Sequence, residues 1–112
     1  MARRIVKETG SQDLSADPFS LTVKAQGQMR LALITMASSQ GITETVTLTI
    51  DQEEGASYDV VLESSTLSSE SDYIYRSRGN DIILNQGDAI VLACTNANTT
   101  GVVYGKILLI ET

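Results

Sequence analysis

The residues best suited to chemistry in this chain are carboxylates. DQEEG, residues 51–55, sets Asp51, Glu53 and Glu54 close together. Hard oxygen donors at this spacing suit calcium, and paired carboxylates suit glycoside hydrolysis. An EF-hand needs Asp-x-Asp-x-Asp-Gly and a distant Glu, which this stretch lacks. A sugar cleft needs aromatic platforms, and the chain has no Trp, one Phe and four Tyr. The plain reading of 51–57 is a solvated acidic turn. The second candidate is Gly87-Asp88 within NQGDAIVLACTN, residues 85–96. A phosphate loop needs several glycines between a strand and a helix, usually with a Lys. Here one Gly precedes an apolar run of strand character. The expectation is that Gly87 takes a positive φ in a turn and that Asp88 accepts backbone N–H groups there. The third is Cys94, the only cysteine. It can form neither an internal disulfide nor a zinc cage, and in an apolar run it reads as a small hydrophobe. The absence of His removes the commonest general base and metal ligand. The sequence therefore predicts no enzyme, no catalytic residue, no metal set and no cofactor.

Two further groups point to binding rather than catalysis. Tyr73 and Tyr75 share one parity of YIY, with Arg76 and Arg78 nearby. They read as core or as an aromatic interface pair with a polar rim. The start MARRIVK carries Arg3, Arg4 and Lys7 around Ile5 and Val6. It reads as a frayed terminus or as an arm that docks on an acidic partner, adding a strand to a sheet edge. Asn98-Thr99-Thr100 matches a glycosylation sequon but reads as a turn.

The elements that must position these residues are strands. GITETVTLTID (41–51) alternates Ile42, Val46, Leu48 and Ile50 against four threonines, with Glu44 breaking the apolar parity near one end. SLTVKA (20–25) and MRLALITM (29–36) alternate around a Gly27 turn and read as a hairpin, followed by an ASSQG turn. Strands follow at 58–64, with Tyr58, Val60 and Leu62 on one face, and at 73–77, 82–84, 89–95 and 102–110. The runs 89–95 and 107–110 are apolar on both parities, so they belong in central strands. Eight strands with regular turn signals predict an all-β, eight-stranded, jelly-roll-like sandwich over residues 18–112, with residues 1–17 a flexible N-terminal arm. An immunoglobulin-like sandwich is the alternative, but its Cys–Trp–Cys core is absent.

The 112 residues suit one domain, and its scarce aromatics leave a thin aliphatic core that favours oligomerisation. Net charge is −6, the wrong sign for a bulk nucleic-acid binder. The charge is uneven. Residues 51–72 hold seven acids and no base, while residues 1–7 hold three bases and no acid. There is no apolar run of ~18 residues for a membrane helix and no secretory leader pattern, so synthesis and retention in a cytosol are expected.

ETVTLTIDQEEGASYDVVL (44–62), DIILNQGDAIVLACTN (81–96) and TTGVVYGKILLIE (99–111) together resemble small all-β virion proteins of tailed bacteriophages. These are the jelly-roll decoration, or cement, proteins that sit on capsids. The resemblance implies a structural subunit, often a homotrimer, that binds the major capsid protein lattice on the capsid surface after synthesis in the host cytoplasm. It implies no catalytic residue, no direct nucleic-acid contact and no membrane. The alternative is a tail-fibre or baseplate module that binds a host glycan or another fibre protein through loops 51–57, 65–72 and 96–101.

Overall fold

A computed structural model describes residues 4–76 and 82–112. In chain order the strands are β1 (Ile5–Asp13), β2 (Phe19–Lys24), β3 (Met29–Ile42), β4 (Thr45–Asp51), β5 (Val60–Thr66), β6 (Glu70–Arg76), β7 (Ile83–Leu84), β8 (Ala89–Cys94) and β9 (Val102–Glu111). A single 3-10 turn, Ala56–Tyr58, precedes β5. One sheet, here sheet A, runs β1-β9-β3-β6, with β7 on the β6 side of β3; sheet B runs β2-β8-β4-β5. All ladders are antiparallel. β1 to β2, β2 to β3 and β3 to β4 each cross between the sheets, as do β5 to β6, β7 to β8 and β8 to β9. This alternation makes the sandwich jelly-roll-like.

The all-β sandwich matches the sequence reading, but the strand inventory differs in an instructive way. The expected arm is a strand from Ile5 onward: β1 pairs with β9 over nine residues, from Ile5↔Ile110 to Asp13↔Val102. Residues 5–13 are therefore a paired strand and not a flexible appendage, and the sandwich begins before residue 18. β1 shows no hydrophobic alternation because its inward positions are Val6, Glu8, Gly10 and Gln12. Gly10 is inward because a Cβ there would lie 2.9 Å from Leu21 Cδ1. Its cross-strand partner Gly105 leaves room for Phe19, whose Cζ would lie 2.6 Å from an added Cβ. The only phenylalanine thus sits under a glycine pair. With β1 included, the described residues form nine strands rather than eight, and the expected strand 82–84 is only a two-residue ladder beside β3.

The expected hairpin of 20–25 with 29–36 does not form. β2 pairs with β8 in sheet B, while β3 pairs with β9, β6 and β7 in sheet A. Alternation marks both strands equally well whether they neighbour each other or face each other across the core. ASSQG is not a turn either. β3 continues through it to Ile42, with a register break between Ala37 and Ile42. The apolar runs do lie centrally: β8 between β2 and β4, β9 between β1 and β3. The core is aliphatic, with Leu31, Ile34, Leu48, Ile90, Leu92, Ile107 and Leu109 fully buried around Phe19.

Candidate interaction surface

The residues singled out for chemistry are mostly structural. Gly87 has φ +97, and Asp88 closes the turn. Its Oδ2 accepts from Asn85 N at 3.1 Å and its Oδ1 from Glu53 N at 3.1 Å. The carboxylate is buried and ties the 51–57 loop to the 85–88 turn. Asp51, Glu53 and Glu54 are exposed, and among the described residues no three His, Cys, Asp or Glu side chains converge as a metal site. Cys94 faces the core, where burial first and the Glu44 charge second push its thiol up to about 11. A thiol held that far above neutral pH is a poor nucleophile.

Tyr73 and Tyr75 are corrected as interface candidates. Both point inward from β6: Tyr73 is buried and Tyr75 packs half-buried against the core. The Tyr73 hydroxyl donates to Glu63 Oε1, joining sheet A to sheet B at the β6/β5 edge. Burial first and the Glu63 acceptor next raise the phenol pKa. Arg76 points outward and is exposed, while Arg78 lies outside the described residues. The arm residues divide similarly. Arg3 lies outside the described residues. Arg4 O accepts from Glu111 N at 2.9 Å, extending the β1–β9 ladder. Val6 faces the core, whereas Ile5 and Lys7 are exposed on the opposite face.

Glu44 is a structural residue that alternation did not reveal. The sequence suggests an acid near a strand end where the chain emerges; in fact it is 3% exposed. Its Oε1 accepts from Thr95 Oγ1 at 2.6 Å and Ala97 N at 3.0 Å. Its Oε2 accepts from Asn98 N at 2.6 Å and Thr99 N at 2.5 Å. Burial opposes the charged form, but the bonds from Thr95, Asn98 and Thr99 outweigh it and hold the pKa below the usual glutamate value. The sequon segment is therefore a loop wrapped on a buried carboxylate. Thr43 joins the same cluster: its N–H donates to Thr99 Oγ1 at 2.9 Å, and its Oγ1 accepts from Ser69 N at 3.0 Å. Loops 65–72 and 96–101 thus meet at the Glu44 end of β4. Loop 51–57 lies at the other end of that seven-residue strand, roughly 20 Å away at ~3.3 Å per residue. The three loops form no common ligand site.

What remains is a surface. The outer face of sheet A has the parity opposite to buried Val103, Ile107 and Leu109. Its rows follow from the registers. Ile5, Ile110, Arg30 and Ile83 form one row, and Lys7, Leu108, Leu33 and Arg76 the next. Thr9, Lys106, Thr35 and Ile74 follow, then Ser11, Tyr104, Ala37 and Asp72. Apolar side chains thus alternate with four bases across four strands of a chain whose net charge is −6. Asp72 is the acid in these four rows, at their far corner. Ile5 is 61% exposed, Tyr104 58%, Ile74 52% and Ile83 39%. The sequence had hidden this face because 107–110 reads as buried on both sides, whereas Leu108 and Ile110 are only half-buried.

A second apolar surface lies at the β4–β5 corner. Tyr58 is 63% exposed on the 3-10 turn, not on a strand face with Val60 and Leu62. Val60 and Val61, at 48% and 59%, begin the edge strand β5. A register break opposite Leu48 and Thr49 turns Val61 outward beside Thr49, whereas Val60 pairs with half-buried Ile50 and keeps the inward parity at the sheet edge. Glu54 and Asp59 are exposed in the loop that leads into β5, while the Glu53 carboxylate lies against Gly87 on the β8 side of β4.

No family model and no curated protein matches the chain. Among solved structures, the Drosophila NLP core, described for pentamer formation and histone binding, is similar over 91% of this chain and 95% of its own, with 9% identity and a TM-score of 0.45. The complex of Aeromonas sobria serine protease with its chaperone ORF2 is similar over 97% of this chain and 28% of the other, with 7% identity and a TM-score of 0.40.

Proposed function

We propose that this protein is a structural subunit of a larger particle: a decoration subunit that oligomerises and stabilises a tailed-phage capsid. The observation that carries the reading is the outer face of sheet A. Large patches of exposed apolar surface mark interaction sites. Here the apolar rows are interspersed with Lys7, Arg30, Arg76 and Lys106, which suits a flat, acidic protein surface better than a small ligand. The residues first assigned to a gripping arm contribute Ile5 and Lys7 to this face as part of a paired strand. The jelly-roll-like sandwich and the resemblance to virion cement proteins support the same role, with a homotrimer on the capsid exterior and the major capsid lattice as partner.

The test is co-sedimentation of the purified chain with capsid shells that lack it, together with light scattering. Saturable binding and a mass near ~36 kDa, three chains of 12.0 kDa, are expected. Wild-type protein that stays in the supernatant at every shell concentration would refute the capsid role.

A further inference from the structure

The seven large hydrophobic side chains that the described residues expose fall on two surfaces only. Ile5, Ile74, Ile83 and Tyr104 lie on the outer face of sheet A; Tyr58, Val60 and Val61 lie at the β4–β5 corner. The first surface carries Lys7, Arg30, Arg76 and Lys106, and the second adjoins exposed Glu54 and Asp59. We propose that these surfaces bind each other between copies: the β4–β5 corner of one chain docks on the outer sheet A face of the next. This names a second copy, rather than the capsid lattice, as the partner that covers the face described above, and it rests on reading the protein as an assembling subunit.

Charge decides the occupant. A second sheet A face laid on the first would oppose Lys7, Arg30, Arg76 and Lys106 to one another, and like charges brought together at an interface cost affinity. The acidic corner instead brings Glu54 and Asp59 to those bases while its exposed Val61 and Tyr58 cover apolar rows. The two surfaces differ and belong to different sheets, so the contact is head-to-tail. Such contacts close into rings when the rotation permits and otherwise grow into filaments. β5 is also an edge strand with no strand on its outer side among the described residues. Docking the corner would cover part of that edge, which otherwise invites uncontrolled pairing.

The experiment is light scattering on the full chain at low and high salt, with charge-reversal variants and thermal melts to verify folding. The wild type is expected at a multiple of 12.0 kDa, falling toward one chain as salt screens the exposed pairs. K7E/K106E alone and E54K/D59K alone are expected to be folded monomers. The quadruple variant, with both surfaces reversed, is expected to regain the wild-type mass. Val61→Asp, which leaves the bases untouched, is expected to be monomeric as well. A wild type that is monomeric throughout overturns the contact, as does an oligomer that survives both single-surface reversals, or a quadruple variant that stays monomeric. Shell co-sedimentation separates this outcome from the proposed function: a monomer that still binds shells saturably sinks the self-contact and leaves the decoration role standing.

Discussion

Replacing Glu44 by Gln changes one atom's chemistry in a buried site whose partners are all known. The carboxylate uses both oxygens as acceptors, each for two donors. A glutamine has only one acceptor oxygen, so in either orientation its NH2 faces donors. If the NH2 faces Asn98 and Thr99, two backbone N–H groups lose their acceptor. If it faces Thr95 and Ala97, the threonine hydroxyl can rotate to accept, and only the Ala97 N–H is orphaned. The second arrangement is the cheaper one. It still loses the charge assistance, at ~1.5–3 kcal/mol for a hydrogen bond to a charged group, and leaves an unsatisfied N–H at ~1–3 kcal/mol. Partial relaxation of the 95–99 loop offsets some of this, so a loss of about 2–4 kcal/mol is expected. With a urea m-value of ~1–3 kcal/mol/M, the midpoint should fall by about 1–2 M with the slope unchanged. A pH series sharpens the test. The folded-state pKa lies below the ordinary value of 4.5, so the carboxylate's contribution is fully present above that value and fades as pH falls through the lower folded value. The gap between wild type and variant should therefore be constant from neutral pH to mildly acidic pH and narrow only below the ordinary glutamate range. A variant within about 0.5 kcal/mol of wild type at pH 7, the usual range of an indifferent surface change, would refute the account of Glu44 as the anchor of this loop.

Other consequences follow from the same geometry. Gly105→Ala places a methyl 2.6 Å from the Phe19 ring and 3.1 Å from Leu92, so overpacking should cost about 1–3 kcal/mol in urea unfolding. Asp88→Ala removes the acceptor of two backbone N–H groups and should cost about 1–3 kcal/mol; hydrogen exchange should quicken at Glu53 and Asn85. In an alkaline titration followed by tyrosinate absorbance, Tyr73 should ionise only with unfolding, because burial and the Glu63 acceptor favour its neutral form; Tyr73→Phe should abolish the step that accompanies unfolding. Cys94 should resist a thiol reagent in the native protein at mildly alkaline pH and react on addition of denaturant. Deleting residues 2–12 should abolish folding as judged by circular dichroism, because it strips most of β1 from β9 and uncovers the Phe19 pocket.

The sequence by itself determined the class of the fold and the location of its core. Alternating β-branched residues in 41–51 and unbroken apolar runs in 89–95 and 107–110 admit few arrangements other than strands with one or both faces covered, because side chains alternate across a strand with period two. It also determined local turn chemistry: Gly87-Asp88 needs only a positive φ and a short acceptor, and both are properties of neighbouring residues. What it left open is every choice that depends on which strand lies next to which. Period two is the same for a hairpin partner and for a strand across the core, so 20–25 and 29–36 look paired although they lie in different sheets. β1 carries almost no pattern, because its inward side is shaped by Phe19 and Leu21 from β2 and so takes Gly10 where a hydrophobe would be expected. Glu44 looks like a strand-end acid until the 95–99 backbone closes around it, fifty residues further along the chain. The basic apolar face exists only as rows across β1, β9, β3, β6 and β7, five segments far apart in sequence. Register, a tertiary property, aligns Ile5 with Ile110, Arg30 and Ile83, and so decided where this protein presents a surface to others.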